Sequence, residues 1–500
     1  MPDSFKFNSA EGFELLRKLS EADLGFMPHD YSLVVAGTIL DGHDCLFRSA
    51  CGSGKTGILA LISLCLAKLS SEGFPNASTS AVDIPKKPII LVICPTDALE
   101  IDLEVKLKRF NIKALAINSN LCAIAFRDHQ LDLWVDAKSS DVILLAPEQL
   151  KSDGFANALN DHDFLARIFL LVVDEVHLVG QWSKYFRKDY GRIGDARNRL
   201  KKNTRLLLLT ATLPNGKPYE LVLEKFGLAS GHFLDYHRSN LRPEVRVTTI
   251  ILPSSPNTSF TFPFLSWIIG LKGVTIIFTR NRTLTLKIAL YLMRSHPKYA
   301  LFIRKCDSTN DPEEYDTVTY DLARNLPDNS SLILVSTSIL TVGIDIPNVR
   351  RVISLEPMDF TQEIQEGGRV LRQKKQGEIG EVYTYFSQAT VDLATKMVDE
   401  DKQYKATGKK KQAPPVQGNR GDEEKSTRIA LNLAYRIVAD CLTAEQNSQS
   451  SYGGWCNSRV HIKLLLSWRI RAREDPFERG KSWCIHVGGS SQSNSKAIPI

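Results

Sequence analysis

The sequence predicts an α/β protein: two tandem units, each a parallel sheet covered by helices, followed by a poorly defined C-terminal tail. Three observations predict it. At 500 residues the chain is longer than one hydrophobic core usually organises. Short apolar runs alternate with amphipathic stretches in two successive series, the rhythm of strands joined by crossover helices. Near residue 400 that rhythm gives way to Lys, Pro, Gly and Ser.

In chain order, the first series places strands at Asp44–Arg48, Ile89–Cys94, Asp141–Ala146, Ile168–Val173 and Arg205–Leu209. After Pro214 the pattern loosens, and Tyr236–Pro243 reads as a connector. The second series gives strands at Val274–Thr279, Ser331–Ser336, Arg351–Leu355 and Glu381–Phe386. The expected division is 1–235 for the first unit, 236–395 for the second and 396–500 for the linker and tail. Asp401–Lys425, with Lys409-Lys410-Lys411 and Pro414-Pro415, reads as a linker with a solvated charge run. Ser426–Ala444 reads as one amphipathic helix, and no fold is expected beyond it.

A composition of 43% hydrophobic and 24% charged residues is that of a globular protein. The net charge of +7 suits a polyanionic partner, but spread over this length it selects none by itself. No run of about 18 apolar residues appears, so no membrane span is expected. Nor does the N-terminus pair a basic stretch with an apolar core, so no secretory signal is expected. The nine cysteines lie mostly in apolar segments such as Leu64-Cys65-Leu66. They read as reduced core thiols of a cytosolic or nuclear protein.

Ser49-Ala-Cys-Gly52-Ser53-Gly54-Lys55-Thr56 follows an apolar strand and precedes the helical pattern Gly57–Leu69. This is the setting of a phosphate-binding loop, with Ser49 where the first glycine usually stands. Gly52 and Gly54 let the backbone turn its N–H groups toward phosphates, and Ser53 adds another to the cradle. Lys55 is placed to reach the β- and γ-phosphates, and the Thr56 hydroxyl to bind Mg²⁺.

Ile168–Val173 runs straight into Asp174-Glu175-Val-His177. A buried strand delivering carboxylates at its C-terminal end is where open α/β sheets place ligands. Asp174 is expected to hold Mg²⁺, and Glu175 to orient and deprotonate a water. In the second unit, Gln365-Glu-Gly-Gly368-Arg369-Val-Leu-Arg372 brings two arginines three apart. On a helix they would share a face and could point across a cleft at γ-phosphate oxygens.

Together these segments resemble motifs I, II, III and VI of superfamily 2 helicases, with Thr210-Ala211-Thr212 as motif III. Val335-Ser-Thr337 and Val342-Gly343-Ile-Asp345 resemble motif V. Pro95, Leu99 and Asp102 match parts of motif Ia, and Ala146-Pro147-Glu148 matches motif Ib. The stretch from His177 through Gln181, Trp182, Phe186, Arg187 and Tyr190 is similar to the aromatic-rich loop of RecQ-type DNA helicases. Aromatics interleaved with Lys184, Arg187 and Lys188 can stack bases and meet phosphates together. The resemblance covers about Leu24 to Phe386, with an Arg-Ser-Asn-Leu-Arg connector at Arg238–Arg242.

The resemblance implies two RecA-like lobes using ATP and Mg²⁺, moving 3′-to-5′ on single-stranded DNA and separating strands of tailed duplexes. It implies catalytic roles for Asp174, Glu175, Gln365, Arg369 and Arg372, and nucleotide contacts from Gly343 and Asp345. His177, Gln181, Trp182, Phe186 and Arg187 would couple DNA to hydrolysis. The setting implied is DNA repair and recombination in the nucleus, or the cytoplasm of a cell without one. Two other readings are a nucleic-acid-binding protein with little ATP turnover and an RNA helicase. The chain departs from the family where His29-Asp-Tyr-Ser-Leu33 offers no adenine-reading Gln, and where the stretch after Arg304 lacks a His-Ala-Gly-Leu-like signature. The tail keeps only Cys441, Cys456 and Cys484, without a Cys-x-x-Cys pair, so a structural zinc is not expected.

Overall fold

The structure, a computed structural model, describes residues 5–72, 83–129, 131–179, 193–213, 215–239, 242–307, 320–327, 329–341, 346–372, 377–407, 427, 429–430, 433 and 461–464. Its strands fall into two sheets in which every pairing is parallel.

The first sheet contains β1 (Asp44–Arg48), β2 (Ile89–Ile93), β3 (Ala114–Ile117), β4 (Val142–Leu145), β5 (Ile168–Val173), β6 (Arg205–Thr210) and β7 (Phe233–His237). Their order is β3-β4-β2-β5-β6-β1-β7. β2 and β5 are apolar and buried at every position because helices cover both faces. On one face α1 (Ala10–Leu24), α2 (Asp30–Leu40) and α3 (Lys55–Glu72) contribute Leu16, Leu33, Ile58 and Leu61 to the core. On the other, Phe155, Phe164 and Phe226 pack beneath Leu171 and Leu208.

This order positions the site. β6 lies between β1 and β5, so the C-terminal ends of all three share one edge within about two strand spacings of roughly 4.8 Å. The second sheet contains β8 (Val245–Leu252), β9 (Gly273–Phe278), β10 (Ile303–Cys306), β11 (Ser331–Ser336), β12 (Val349–Leu355) and β13 (Gly380–Ser387), in the order β10-β11-β9-β12-β13-β8. From the tail, β14 (His461–Leu464) pairs with β8.

Three expectations need correcting. Tyr236 and His237 are not connector but part of β7, which pairs with β1, so a division at residue 235 cuts a strand. β7 is a half-exposed edge strand and lacks the apolar run that marks its neighbours. The tail enters the second sheet, where no fold was expected. And the helix Gln388–Thr407 carries seven residues into the segment read as linker. It meets no Gly or Pro before Gly408, so nothing local ends it sooner.

Of the segment 426–444, Thr427, Ile429, Ala430 and Leu433 are helical. Ile429, Ala430 and Leu433 pack with Phe386, Ala394 and Val398. Cys45, Cys65 and Cys94 are buried free thiols, and burial pushes Cys65 up to about 12. Cys441, Cys456 and Cys484 lie outside the described residues. Among the described residues no helix is long and apolar enough to cross a membrane.

Candidate active site

The phosphate-binding loop leaves β1 at Ser49, whose N–H donates to the carbonyl of Thr210 at 3.0 Å. Gly52 (φ 75°) and Gly54 (φ 83°) take left-handed backbone that glycine adopts without strain. α3 then starts at Lys55, so the loop N–H groups and the helix N-terminus converge. Lys55 Nζ donates to the carbonyls of Ser49 and Ala50, each at 3.3 Å. The Tyr31 hydroxyl donates to the Ser53 carbonyl and props the loop from behind.

Two strands from β1, β5 leads into Asp174, whose N–H donates to the Ile93 carbonyl at 3.0 Å. Glu175 follows with φ 49°, a strained conformation for a side chain of this size. Burial and the neighbouring Glu175 charge push the Asp174 carboxyl up to about 7. Burial acts the same way on Glu175, but the His177 ring, Lys55 and Arg372 outweigh it and hold that carboxyl low. Two carboxylates so placed call for a cation.

His177, 4% exposed, ties the two lobes together. Its Nδ1 lies 2.9 Å from Thr210 Oγ1 and 3.3 Å from Glu175 Oε2. Its Nε2 lies 2.8 Å from Gln365 Nε2 of the second lobe. With the amide donating to Nε2, the ring proton sits on Nδ1 and faces the hydroxyl and the carboxylate.

Gln365 is carried by the helix Phe360–Gly367, which Asp359 caps by accepting from Gln362 N at 2.9 Å. That helix stops before the arginines. Gly367 and Gly368 end it, and the bonds Arg369 N to Glu366 O and Val370 N to Gly367 O tighten a turn instead. Arg369 and Arg372 therefore do not share a helix face, as their spacing had suggested. Arg369 is 2% exposed, while Arg372 is the arginine whose charge acts on Asp174 and Glu175. The seam is tight. A β-carbon on Gly368 would stand 2.5 Å from Cys51 Cβ, and one on Gly52 would stand 3.9 Å from Arg372 Cγ.

With this geometry in view, the comparisons with known proteins are specific. Residues 33–221 match the DEAD/DEAH box helicase family, and residues 265–374 match the helicase conserved C-terminal domain. The chain is 29% identical over 303 residues to ATP-dependent DNA helicase Q1 of Pongo abelii, covering 56% of this chain and 42% of that protein. It is 25% identical over 370 residues to ATP-dependent DNA helicase RecQ of Synechocystis sp., covering 71% and 69%. Two helicase domain models thus match successive parts of the chain, and its similarity to RecQ-type proteins supports a RecQ-type superfamily 2 helicase.

Among solved structures, the chain has the fold of the DUF1998 helicase MrfA bound to DNA (TM-score 0.56, 16% identity, 82% of this chain and 52% of that one). It also has the fold of Mss116p bound to single-stranded RNA and AMP-PNP (TM-score 0.55, 16% identity, 89% and 87%). It spans less than half the length of its Q1 relatives.

The structure gathers Ser49, Gly52, Ser53, Gly54, Lys55, Thr56, Asp174, Glu175, His177, Gln365 and Arg372 at one seam. Gln181, Trp182, Phe186, Arg187 and Tyr190, and likewise Gly343 and Asp345, lie outside the described residues. Of the motif Ia and Ib matches, Asp102 on the helix Asp97–Lys108 is engaged by Lys106 at 2.7 Å, and Pro147 opens a 3₁₀ turn after β4.

Sequence reasoning missed Tyr31 and the pair behind the loop, Arg48–Asp235. Arg48 meets Asp235 through Nε at 3.1 Å and Nη2 at 2.8 Å. Its only sequence signal was a charged residue following the apolar run Cys45-Leu46-Phe47. The loop glycines, Lys55, the buried Ser53 Oγ without a hydrogen bond among the described residues, and the mutually repelling carboxylates fit Mg²⁺-ATP.

Proposed function

We propose that the chain is an ATP-dependent DNA helicase that moves 3′-to-5′ along single-stranded DNA and separates strands. One observation carries the reading. The loop and carboxylates sit on one lobe, Gln365 and Arg372 on the other, and His177 bridges them at 2.8 Å. Hydrolysis at such a seam is complete only when the lobes close, which makes it a motor part and not merely a store for nucleotide.

Lys55 and Thr56 would hold the phosphates, and Thr56 and Asp174 the Mg²⁺, which neutralises charge during phosphoryl transfer. Glu175, kept ionised by His177, orients a water and accepts its proton. His177 holds Glu175 and Thr210 in register with Gln365. Arg372 presents a guanidinium to the developing charge.

DNA as the track is supported by the curated relatives, which are DNA helicases. A binding protein without turnover has no physical use for Lys55, Asp174, Glu175 and Arg372 at one seam. The same reading places the chain in the nucleus, or in the cytoplasm of a cell without one. The test is ATP hydrolysis with and without single-stranded DNA, followed by unwinding of DNA and RNA duplexes tailed at either end. DNA-stimulated hydrolysis with unwinding from a 3′ tail is expected. Stimulation by RNA alone, or unwinding only from a 5′ tail, defeats the corresponding part of the reading.

A further inference from the structure

We propose that Arg242, in the connector between the two sheets, is a positioning residue for Arg372, acting through the peptide that joins Leu371 to Arg372. The proposal rests on the ATP-hydrolysis reading above.

The connector is anchored at both ends to the nucleotide seam. At its start, Arg238 N donates to the carbonyl of Arg48, the residue before the phosphate loop, at 2.8 Å. The Arg238 guanidinium lies 3.9 Å from the Tyr31 ring centroid, and Tyr31 in turn donates to Ser53. At its far end, Arg242 Nη2 donates to the carbonyl of Leu371 at 3.2 Å. Arg242 Nε meets Glu244 Oε1 at 3.1 Å, and the Glu244 carbonyl accepts from Gly380 N at 2.9 Å. The guanidinium is thus braced against β13's entry while it grips the arginine turn.

Leu371 is the point at which that grip matters. Its φ of 47° is left-handed backbone, which a leucine keeps only when its surroundings hold it there. The Leu371 N–H is held by the Val349 carbonyl at 3.0 Å, and its C=O by Arg242. That C=O belongs to the very peptide that leads into Arg372. Were it to rotate, the Arg372 Cα and its side chain would swing away from Asp174 and Glu175. A charged donor on a carbonyl is among the stronger hydrogen bonds. A lysine cannot serve Glu244 and Leu371 with the same rigid fork.

The consequence is coupling along the chain. The same short segment touches the back of the phosphate loop and the turn that delivers the arginine, so lobe separation pulls on both. Misplacement of a catalytic group by about 1 Å can cost on the order of 10²-fold in rate.

The test uses the full chain. Arg242→Ala is expected to lower kcat for DNA-stimulated hydrolysis about 10- to 100-fold while KM for ATP stays within about threefold. Arg242→Lys, which also covers poor folding of the alanine variant, should recover only part of the loss. Combined with Arg372→Ala, Arg242→Ala should add nothing, because both act through one guanidinium. Hydrogen exchange read on residues 368–372 should speed up in the variant while β12 and β13 stay protected. A near-normal kcat per folded molecule, losses that multiply in the double variant, or unchanged exchange at 368–372 would each overturn the proposal. Should the wild-type chain prove unable to hydrolyse ATP, the functional reading fails, and exchange alone decides the role of Arg242.

Discussion

His177 Nε2 and Gln365 Nε2 meet at 2.8 Å across the seam, 188 residues apart in sequence. On its other side the same ring meets Thr210 and Glu175. In the proposed mechanism the imidazole is the point at which closure of the lobes would be felt by the carboxylate. Gln365→Ala is expected to lower DNA-stimulated kcat with little change in nucleotide affinity. A cycle with His177→Ala should show a coupling of about 0.5–3 kcal/mol, read from kcat/KM. Strictly additive losses would remove the bridge from the mechanism.

Glu175→Gln should bind Mg²⁺-ATP and hydrolyse it slowly. The amide keeps the shape but cannot accept a proton, and losing a general base costs about 10²–10⁴-fold. Titration with a slowly hydrolysed ATP analogue checks the first half, and single-turnover rates the second. If binding is lost along with turnover, Glu175 is structural.

The Arg48–Asp235 pair is a matter of stability. Arg48 is 8% exposed, and Asp235, at 26%, also accepts from Tyr219 at 2.8 Å. Removing one partner of a buried pair costs about 3–5 kcal/mol, and the exposure of Asp235 puts this case toward the lower end. Asp235→Ala should show that loss in urea unfolding of the first lobe, and Asp235→Asn a smaller one. No shift in the midpoint would contradict the account.

Glu366, 1% exposed, gives the fold a pH dependence. Burial, with the Asp359 charge, pushes it from 4.5 to about 7 against the pull of Ser354 and Gln362. The folded state thus prefers the neutral acid. Below pH 4.5 the group is protonated in both states and costs nothing. As pH rises from about 4.5 to 7 the unfolded chain ionises first, and folding loses roughly 3 kcal/mol from this group. Glu366→Gln should flatten that part of the stability–pH curve. An unchanged curve would mean that the carboxyl ionises freely where it is.

The tail is not one dispensable piece. Ile429, Ala430 and Leu433 cover Phe386 and the helix beginning at Gln388. A chain ending before Asp401 should expose that cluster and melt earlier than one ending just after Ala444, which keeps the cluster and gives up β14 alone. Equal melting points for the two would show that the contact adds nothing.

Much of this was legible in the sequence, for local reasons. β5 and β11 match their expected bounds because each is a continuous apolar run, and such runs are buried on both faces. The loop from Ser49 to Thr56 and the pair Asp174-Glu175 were legible because backbone turning and ligand charge demand particular residues at fixed spacing. β3, with four residues, and the half-exposed β7 carry too little apolar signal. The arginine turn was misread as helix because an i, i+3 spacing says nothing of the Gly367-Gly368 pair that ends the helix ahead of both arginines. Arg48–Asp235, Arg238–Tyr31 and Arg242–Leu371 depend on register between distant segments, which no local pattern encodes.

The left-handed backbone at Glu175 has an evolutionary corollary. Holding a glutamate at φ 49° costs on the order of 1–3 kcal/mol, and a glycine there would be free of that cost. Selection for heat tolerance alone, blind to turnover, would therefore tend to discard this carboxylate. If Glu175 is the proposed general base, laboratory lineages evolved only for thermal endurance should drift toward durable but idle proteins.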